Sequence, residues 1–246
     1  MLPDLSGRTA VVTGGAGFLG RDIVAGLRAC GCRVVVLDRA VQPSTEDGVL
    51  TISCDLTDPA ATEAAILAAW EQCGPISILV NAVGSIRNAP LVNVTAPGDR
   101  RHSLETWRTT IDANLTSVFL ATVNQVDRMV ASRTRGVVVN LSSVAAAGNA
   151  GQAAYSAAKA GVNAMTLAWA KELGLLGIRF VAIAPGFIDT ASTHAAMTET
   201  VVKDWIRKTP LRRLGKAADV TSAVVFAIQN DHLTGKVIEI DGGLTL

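Results

Sequence analysis

The feature that most constrains the fold of this chain is an alternation between short β-branched runs and longer alanine-rich stretches of helical period. Seven such runs follow one another: RTAVVTG, CRVVVLD, GVLTIS, SILVNAVG, GVVVNLSS, IRFVAIAPG and KVIEIDGG. Apolar strands separated by helices are typical of a parallel sheet covered on both faces. The sequence therefore predicts an α/β fold, a doubly wound parallel sheet of about seven strands with helices on both faces.

The chain length and charge balance limit the domain organisation and the partners. With 246 residues, no internal repeat and no linker-like segment, we expect a single domain spanning 1–246. A net charge of +1, from 22 basic and 21 acidic residues, offers no field for a phosphate backbone, so no nucleic-acid partner is expected. No signal-peptide pattern precedes the first strand and no apolar run approaches the ~20 residues of a membrane span, which predicts a cytoplasmic protein without a membrane partner.

The cysteines and histidines do not form a recognisable metal-binding pattern. The cysteines lack paired CxxC spacing, and the histidines have no HxxxH spacing or carboxylate cluster around them. These residues are Cys30, Cys32, Cys54, Cys73, His102, His194 and His232. We therefore expect reduced thiols and no catalytic metal.

Local signals predict where the first elements begin and end. A strand at about Thr9 to Thr13 leads into a helix that stops at Gly31. Asp58 and Pro59 predict a helix start, with aspartate as N-cap and proline at the first helical position. Between residues 84 and 104 the chain has no period and is rich in Pro, Gly, Asn and Asp, which predicts an irregular loop.

A glycine-rich turn follows the first strand directly, with the sequence TGGAGFLG from position 13 to position 20. Glycines let a backbone approach a pyrophosphate, whose charge is then met by free N–H groups and by the positive end of the next helix. A purely structural turn is the alternative, but the position between strand and helix favours a dinucleotide site. The candidate cofactor-binding residues here are Gly14, Gly17, Phe18, Leu19 and Gly20.

An acidic residue ends the second β-branched run at the interval typical of a ribose-binding carboxylate. Asp38 lies eighteen residues beyond Gly20 and could hydrogen-bond a ribose diol. Because a carboxylate repels a 2′-phosphate, Asp38 favours NAD over NADP. Arg39 follows immediately, and it could either bind that phosphate or remain a solvated loop charge, so NADP stays open as the alternative cofactor.

The strongest catalytic candidates are Tyr155 and Lys159, four residues apart in a segment of strong helix formers. Lowering a phenol pKa from about 10 to about 7 requires roughly 4 kcal/mol, and a unit positive charge at ~4 Å supplies about that much at an effective dielectric constant near 20. Tyr155 is the only tyrosine, and it follows Ser143 by twelve residues. Ser143 closes a strand at the edge where open α/β sheets place their sites, so its hydroxyl could hold a substrate oxygen.

The joint pattern resembles the short-chain dehydrogenase/reductase family over nearly the whole chain. It comprises TGGAGFLG, VVVLD, CDLTD, NAVG, DANL, NLSS, YSAAK, PGFIDT and IDGG. The resemblance implies a single-domain Rossmann fold in which Tyr155 gives or takes the proton. It further implies that Lys159 lowers the phenol pKa and holds the nicotinamide ribose, that Ser143 orients the substrate oxygen, and that Asn114 anchors a water in the proton relay.

The same resemblance implies further cofactor contacts, from the adenine end to the nicotinamide end. They are Asp55 and Leu56, then Asn81, Ala82 and Gly84, then Pro185, Gly186, Ile188 and Thr190, together with Tyr155 and Lys159. Asn81 and Asn114 each have an alternative interpretation, as buried side chains that bond a turn or a helix.

Two features depart from the pattern of the family's main branch. Phe18 stands where that branch has glycine, and the TGxxGxxG spacing matches the extended branch, often acting on nucleotide sugars. Gly17 stands where NADP-preferring members often carry Arg or Lys, which supports NAD. The serine-to-tyrosine interval is one residue shorter than usual, so Ser142 satisfies the count and Ser143 the strand alignment; we choose Ser143.

These patterns lead to an NAD-dependent oxidoreductase that interconverts a secondary alcohol and a ketone through a Ser-Tyr-Lys-Asn set. Within the enzyme class, the alternatives are an NADPH-dependent 3-oxoacyl reductase of the acyl-carrier-protein type, which GNAGQAAYSAAKAG resembles, and a nucleotide-sugar epimerase or dehydratase, for which too little chain follows PGFIDT. A dinucleotide-binding sensor without chemistry is the alternative outside it. The resemblance implies a homotetramer, or else a homodimer.

The expected substrate pocket has three walls: residues 85–103, 145–152 and 189–208. The third wall alternates apolar and polar residues at helical intervals, with Ala191, Ala196, Met197 and Trp205 among the apolar ones. That pattern suits a mobile lid over an apolar substrate, and it suits equally a helix that only packs on the sheet.

Overall fold

One sheet organises the part of the chain that the computed structural model describes, which comprises residues 4–46, 48–190, 193–194 and 198–245. Within those residues the sheet has eight strands, in the order β3-β4-β2-β1-β5-β6-β7-β8. The strands are β1 (Thr9–Thr13), β2 (Arg33–Leu37), β3 (Ser44–Glu46), β4 (Val49–Ile52), β5 (Ile78–Asn81), β6 (Gly136–Leu141), β7 (Ile178–Pro185) and β8 (Lys236–Ile240). All neighbouring pairs are parallel except β3 and β4, so the predicted doubly wound parallel sheet is confirmed.

The helices lie on both faces of this sheet. They are α1 (Phe18–Ala29), α2 (Pro59–Cys73), α3 (Leu104–Ile111), α4 (Ser117–Ala131), α5 (Ala153–Leu173), α6 (Glu199–Lys208) and α7 (Ala217–Gln229). A π-helical turn, Asp112–Thr116, joins α3 to α4, and short 3-10 turns occur at Val144–Ala147 and Gly174–Leu176. One apolar cluster joins α1 and α7 to the sheet, and a second joins α2, α4 and α5 to it.

The two clusters follow from the strand period of two. In β1, Ala10 and Val12 belong to the first cluster, whereas Val11 belongs to the second. All three side chains are fully buried, which is why the run reads as continuously apolar. The α1 side chains Ile23 and Leu27, four residues apart, cover the first face.

The strand order places a topological switch point between β1 and β5. From β1 the chain moves outward through β2 to β4 and then returns to the other side of β1 at β5. Thr13 pairs with Asn81, and Asn81 with Asn140, so β1, β5 and β6 end at one edge. Crevices at such points, outside the carboxyl ends of the strands, are where open α/β sheets bind ligands.

A chain of buried amides and hydroxyls ties that edge together. Asn81 Oδ1 accepts from Thr13 Oγ1 at 3.3 Å, and Asn81 Nδ2 donates to Thr122 Oγ1 and to Asn140 Oδ1 at 2.9 Å. Asn140 Nδ2 donates in turn to Thr166 Oγ1 at 2.9 Å. The network joins three strands to α4 and α5, and since the Asn81 side chain is fully buried within it, the alternative scaffold interpretation describes this side chain.

The predicted element boundaries agree closely with the structure. Strand β1 has the predicted bounds, and Gly31 follows α1 with a φ of 81°. Asp58 accepts from Ala61 N at 2.9 Å as the N-cap of α2. Residues 82–103 contain no helix or strand beyond one isolated bridge between Val92 and Arg101, as the irregular-loop prediction required.

The described residues form one strand more than the seven that the sequence predicts, and the additional strand is β3. Ser44–Glu46 is only three residues long and polar, and it pairs antiparallel with β4 at the sheet edge. A polar strand of that length carries no period that distinguishes it from a loop.

The structure also bears on membrane and metal binding. No helix in the described residues is long and apolar enough to cross a membrane. Within the same residues, no group of three or more His, Cys, Asp or Glu side chains is placed to hold a metal ion. All four cysteines are free, and burial raises the pKa of Cys32 to about 11, which keeps that thiol protonated.

Candidate active site

The glycine turn between β1 and α1 lies against the segment that leaves β5. Gly14 has a φ of 68°, and a methyl group there would lie 2.7 Å from Val83 Cα. A methyl group at Gly20 would overlap the Gly14 carbonyl oxygen. Both positions therefore require glycine for steric reasons. At Gly17 the φ is −71° and a methyl group would lie 3.2 Å from that oxygen, so the demand is weaker there.

The first turn of α1 has the features of an anion-binding helix N-terminus. Its N-cap is Gly17, no side chain caps it, and no acidic residue lies in the first turn. Phe18 is half exposed, while Leu19 is partly buried against the first core cluster. Uncapped N–H groups at the positive end of a helix suit a pyrophosphate, so this cradle fits the dinucleotide that the turn predicts.

Asp38 lies at the rim of that cradle. Its Oδ2 accepts from Ala16 N at 3.1 Å, inside the glycine turn, and its Oδ1 accepts from Ala40 N at 2.9 Å. Each carboxylate oxygen can accept a further hydrogen bond. Arg39 is exposed, and its charge contributes slightly to the lowered pKa of Asp55. The carboxylate is thus built into the turn, whereas the guanidinium lies outside it.

The expected adenine contacts differ in character. Asp55 is exposed, and its Oδ1 accepts from Thr57 N at 3.0 Å and from Thr57 Oγ1 at 2.7 Å. These hydrogen bonds hold the pKa of Asp55 below its ordinary value. Leu56 is 4% exposed and belongs to the second apolar cluster, so its side chain serves the core.

The segment after β5 brings the catalytic candidates beside the glycine turn. Ala82 N donates to Thr13 O at 3.1 Å, which continues the pairing beyond β5. A methyl group at Gly84 would lie 2.7 Å from Asn114 Oδ1 and 3.5 Å from Lys159 Nζ. A side chain at position 84 would thus clash with Asn114, so glycine is required there. The segment Val83–Gly84 lies between the glycine turn on one side and Asn114 and Lys159 on the other.

Asn114 lies in the π-helical turn between α3 and α4, a distortion that is frequent at functional sites. Its Nδ2 donates to Ser85 O at 2.8 Å and to Thr110 O at 2.9 Å, and its Oδ1 accepts from Ser85 N at 3.1 Å. Both amide N–H groups are used, so the side chain fastens the loop after β5 to the helix. The bond to Thr110 O is the kind of contact expected if Asn114 is a buried side chain that bonds its own helix.

Tyr155 and Lys159 occupy the first two turns of α5. Lys159 Nζ lies 5.7 Å from the centroid of the Tyr155 ring and donates to Leu141 O at 2.8 Å. Ser143 Oγ accepts from Ala145 N at 3.1 Å and lies close enough to the Tyr155 hydroxyl to lower its pKa. Ser142 is instead buried, with its Oγ 3.3 Å from Lys159 O. Of the two serines, Ser143 faces the phenol.

Burial shifts the pKa values of the two candidates in opposite directions. Desolvation raises the pKa of Tyr155 above its ordinary value, and the Ser143 hydrogen bond offsets part of that rise. Desolvation lowers the pKa of Lys159 to about 8. Both groups lie in a dry site where their neutral forms are favoured, and the lowering of the phenol pKa by Lys159 that the resemblance implies stays a prediction.

The nicotinamide-end candidates continue β7 beyond the same sheet edge. Pro185 is the last residue of β7, and Gly186 N donates to Ile240 O at 3.0 Å. Ile188 is buried, and Thr190 Oγ1 accepts from Thr193 N at 2.9 Å. All four candidates thus lie in one segment beside the carboxyl ends of β7 and β8.

The third expected pocket wall contains α6, which makes two apolar contacts in its described part. Trp205 stacks on Phe187 with ring centroids 4.3 Å apart, and Val202 is buried. Phe187 lies in the segment after β7 and not in the sheet, so the lid and the sheet-packing interpretations both stay predictions. Ala191, Ala196 and Met197, which were expected in the same wall, lie outside the described residues.

Sequence reasoning did not single out Ser85, Asn88 and Gln152. Ser85 holds Asn114, and Gln152 Nε2 donates to Asn88 Oδ1 at 2.8 Å. The one available signal was the position of Gln152, three residues before Tyr155. Its partner is 64 residues away in the chain, so no local pattern could have identified it.

Known proteins resemble the chain over almost its full length. Residues 15–245 match a family model described as enoyl-(acyl carrier protein) reductase. The chain is 34% identical to carbonyl reductase family member 4 of Danio rerio, over 97% of this chain and 98% of the relative. It is 33% identical to the 3-oxoacyl-[acyl-carrier-protein] reductase MabA of Mycobacterium avium, over 98% of this chain and 91% of the relative.

A solved structure, described as the crystal structure of gox2181, has a TM-score of 0.86 and 28% identity, covering 98% of this chain and 96% of that one. The sequence matches and the structural match all cover the glycine turn from Gly15 onward and the segment with Ser143, Tyr155 and Lys159. The chain therefore belongs to the short-chain dehydrogenase/reductase family, a family of oxidoreductases that act on CH–OH groups.

Proposed function

We propose that this protein interconverts a secondary alcohol and a ketone by hydride transfer, with NAD as its cofactor and Tyr155 as its acid and base. The observation that supports the proposal is the segment Val83–Gly84: Val83 approaches the glycine turn at Gly14, and Gly84 approaches Asn114 and Lys159. A dinucleotide cradle and a Ser-Tyr-Lys set therefore share one crevice. A sensor that only binds dinucleotide would not need that set.

The residues of the chain divide the proton chemistry among them. A bound nicotinamide ring would accept or give the hydride with its two electrons. In the reducing direction, Tyr155 donates its phenolic proton to the carbonyl oxygen, and Ser143 donates a hydrogen bond to the same oxygen. In the oxidising direction, Tyr155 takes the hydroxyl proton. Lys159 keeps two N–H donors besides the one on Leu141 O, and these suit the ribose hydroxyls.

Two further features stabilise a phenolate at Tyr155. Tyr155 is the third residue of the 21-residue helix α5, so it lies at the positive end of the helix dipole. An ammonium at Lys159 adds a second positive charge on the same face of the helix. Both effects oppose the desolvation that raises the pKa of Tyr155.

The preference for NAD is supported by Asp38. Its carboxylate is fixed to the glycine turn through Ala16 N, where a ribose 2′-hydroxyl can reach it and a 2′-phosphate would be repelled. The second candidate function is NADPH-dependent reduction of a 3-oxoacyl group. Relatives such as MabA are named 3-oxoacyl-[acyl-carrier-protein] reductases, and the exposed Arg39 could hold the 2′-phosphate of NADPH.

Tyr155→Phe tests the catalytic assignment. We expect turnover of secondary alcohols and ketones to fall by about 10³-fold or more, because the only phenolic proton at the site is removed. Dinucleotide binding, followed by tryptophan fluorescence, should stay within about threefold of the wild-type value. A variant that retains full turnover would show that the proton has another source.

The cofactor preference can be measured by titrating NADH and NADPH in parallel. We expect NADH to bind at least about tenfold more tightly, a difference of about 1.4 kcal/mol. Asp38→Asn keeps an oxygen for Ala16 N but loses the charge, so it should reduce the difference to about threefold or less, whereas Arg39→Ala should preserve it. Tighter NADPH binding that Arg39→Ala abolishes would favour the second candidate function.

An apolar face on α4 and α5 supports the oligomer that the resemblance implies. Phe119, Val123, Val130 and Leu167 are each 38–46% exposed, and Phe119 and Val123 line a groove over Trp169. We propose that copies associate through this face.

Sedimentation velocity should give a dimer or tetramer for the wild type and a smaller species for Val123→Glu. Val94→Glu, in the loop after β5, is the matched control and should leave the assembly unchanged; a monomeric wild type overturns the proposal.

The lowered pKa of Lys159 predicts a pH-dependent stability. The unfolded chain binds the extra proton between about pH 8 and pH 10.5, so the folding penalty is full below that window and disappears above it. At about 1.36 kcal/mol per unit, the penalty is about 3 kcal/mol, and the bond to Leu141 O returns about 1 kcal/mol. Lys159→Met should therefore be at least as stable as the wild type at pH 7.

The same variant should lose that advantage at high pH. Between pH 7 and pH 10 the wild type should gain roughly 2 kcal/mol relative to Lys159→Met, as measured by urea unfolding at both pH values. A stability difference that does not change with pH would mean that Lys159 folds with its ordinary pKa.

A further inference from the structure

The loop after β5, residues 85–103, has no regular structure, and we call it the entrance loop. Its first residue, Ser85, exchanges backbone hydrogen bonds with the side chain of Asn114. Further along, His102 Nδ1 lies 3.0 Å from Ala89 O, and His102 N donates to Leu91 O at 2.9 Å. The loop is therefore anchored at its start, and its end closes on Ala89 and Leu91, so a third anchor near Ala89 holds both parts beside the site.

That third anchor is a polar clip, which consists of Asn88, Asn149 and Gln152. Gln152 Nε2 donates to Asn88 Oδ1 at 2.8 Å, and Gln152 Oε1 accepts from Asn149 Nδ2 at 3.0 Å. Beside them, Ala89 N donates to Gly151 O at 2.8 Å. Together these bonds join the entrance loop to the turn that leads into α5.

The place of Gln152 in α5 shows why the clip bears on the chemistry. Gln152 is the N-cap residue of α5, but its side chain makes no cap hydrogen bond and turns to Asn88 instead. The residue is only 9% exposed, and Tyr155 follows it in the first turn of the helix. A buried amide with both ends bonded fixes the backbone that carries it, so the clip sets the distance between the entrance loop and the first turn of α5.

We propose that the polar clip determines substrate specificity, with Gln152 as a positioning residue that holds the entrance loop against the turn before Tyr155. The inference rests on the proposed alcohol and ketone chemistry and names a determinant of that same site. With the clip closed, the entrance loop limits the bulk of the group attached to the reacting carbon. With the clip broken, the entrance widens and small substrates lose their fixed orientation.

Asn88 offers the cleanest variant because its side chain is exposed, so the fold does not depend on it. Asn88→Leu removes the acceptor for Gln152 Nε2, while Asn88→Asp keeps an oxygen there. Asn93→Leu is the matched control: Asn93 Oδ1 bonds only Thr95, within the same loop and away from α5. The three variants separate loss of the clip from a general disturbance of the loop.

The kinetic test uses two 3-oxo esters that differ in bulk beside the ketone, ethyl acetoacetate and ethyl benzoylacetate, each with NADH and NADPH. Asn88→Leu should raise KM for the smaller ester at least fivefold, with a smaller change in kcat. It should also shift the ratio of kcat/KM values at least fivefold toward the bulkier ester. Asn88→Asp should return both quantities to within twofold of the wild type, and Asn93→Leu should not move them.

Hydrogen–deuterium exchange tests the clip without any turnover. Asn88→Leu should speed exchange at least tenfold in peptides that contain Ala89, whose amide bonds Gly151 O, and Asn88→Asp should restore protection. A wild type that reduces neither ester excludes 3-oxo esters as substrates, and exchange then decides whether the clip holds the entrance loop. Equal exchange in Asn88→Leu and the wild type, or equal kinetic shifts in Asn93→Leu, overturns the clip proposal.

Discussion

The hydrogen bond from Lys159 Nζ to Leu141 O, 2.8 Å long and fully buried, is the contact on which the geometry of the site depends. A buried ammonium needs a partner, and the carbonyl at the end of β6 is the one it has. The bond fixes α5 against β6 one helical turn after Tyr155, and Ser142 Oγ adds a second tie at Lys159 O. Because Ser143 follows directly, its hydroxyl meets the phenol. These two hydrogen bonds together hold the end of β6, with Ser143, against the turn of α5 that carries Lys159.

Most of the fold could be predicted because its determinants are local. The seven β-branched runs correspond to strands, since burial on both faces demands continuous apolar sequence. Asp58 and Gly31 mark a helix start and a helix end through their own side-chain and backbone chemistry. The glycine turn was predictable from its local spacing: Gly20 is required by the nearby Gly14, although Gly14 is required by Val83, in the segment after β5. Parallel strands then bring the ends of β1, β5 and β6 to one edge.

What the sequence left open depends on contacts between distant segments. The two interpretations of Asn81 differ only in where its amide points, and Thr122 and Asn140, far along the chain, decide that it points into the scaffold. Strand β3 forms because it pairs with the free edge of β4, and nothing in a polar three-residue segment indicates that pairing. The choice between Ser142 and Ser143 likewise needed the position of α5. In each case the local pattern allowed two structures, and tertiary contacts selected one.

The opposite pKa shifts of Tyr155 and Lys159 have a common origin that bears on the direction of the chemistry. In a dry site the neutral phenol and the neutral amine are both favoured, and the phenolate–ammonium pair differs from them by the position of one proton. Mutual attraction and the helix dipole oppose the desolvation of the two ions, but burial still raises the pKa of Tyr155, so the neutral phenol is the resting form. Tyr155 therefore begins protonated, ready to donate to a ketone oxygen. Under the proposed chemistry, Tyr155 accepts a proton from an alcohol as the phenolate, and an oxidised nicotinamide would add a positive charge that favours this form, whereas a reduced one would not.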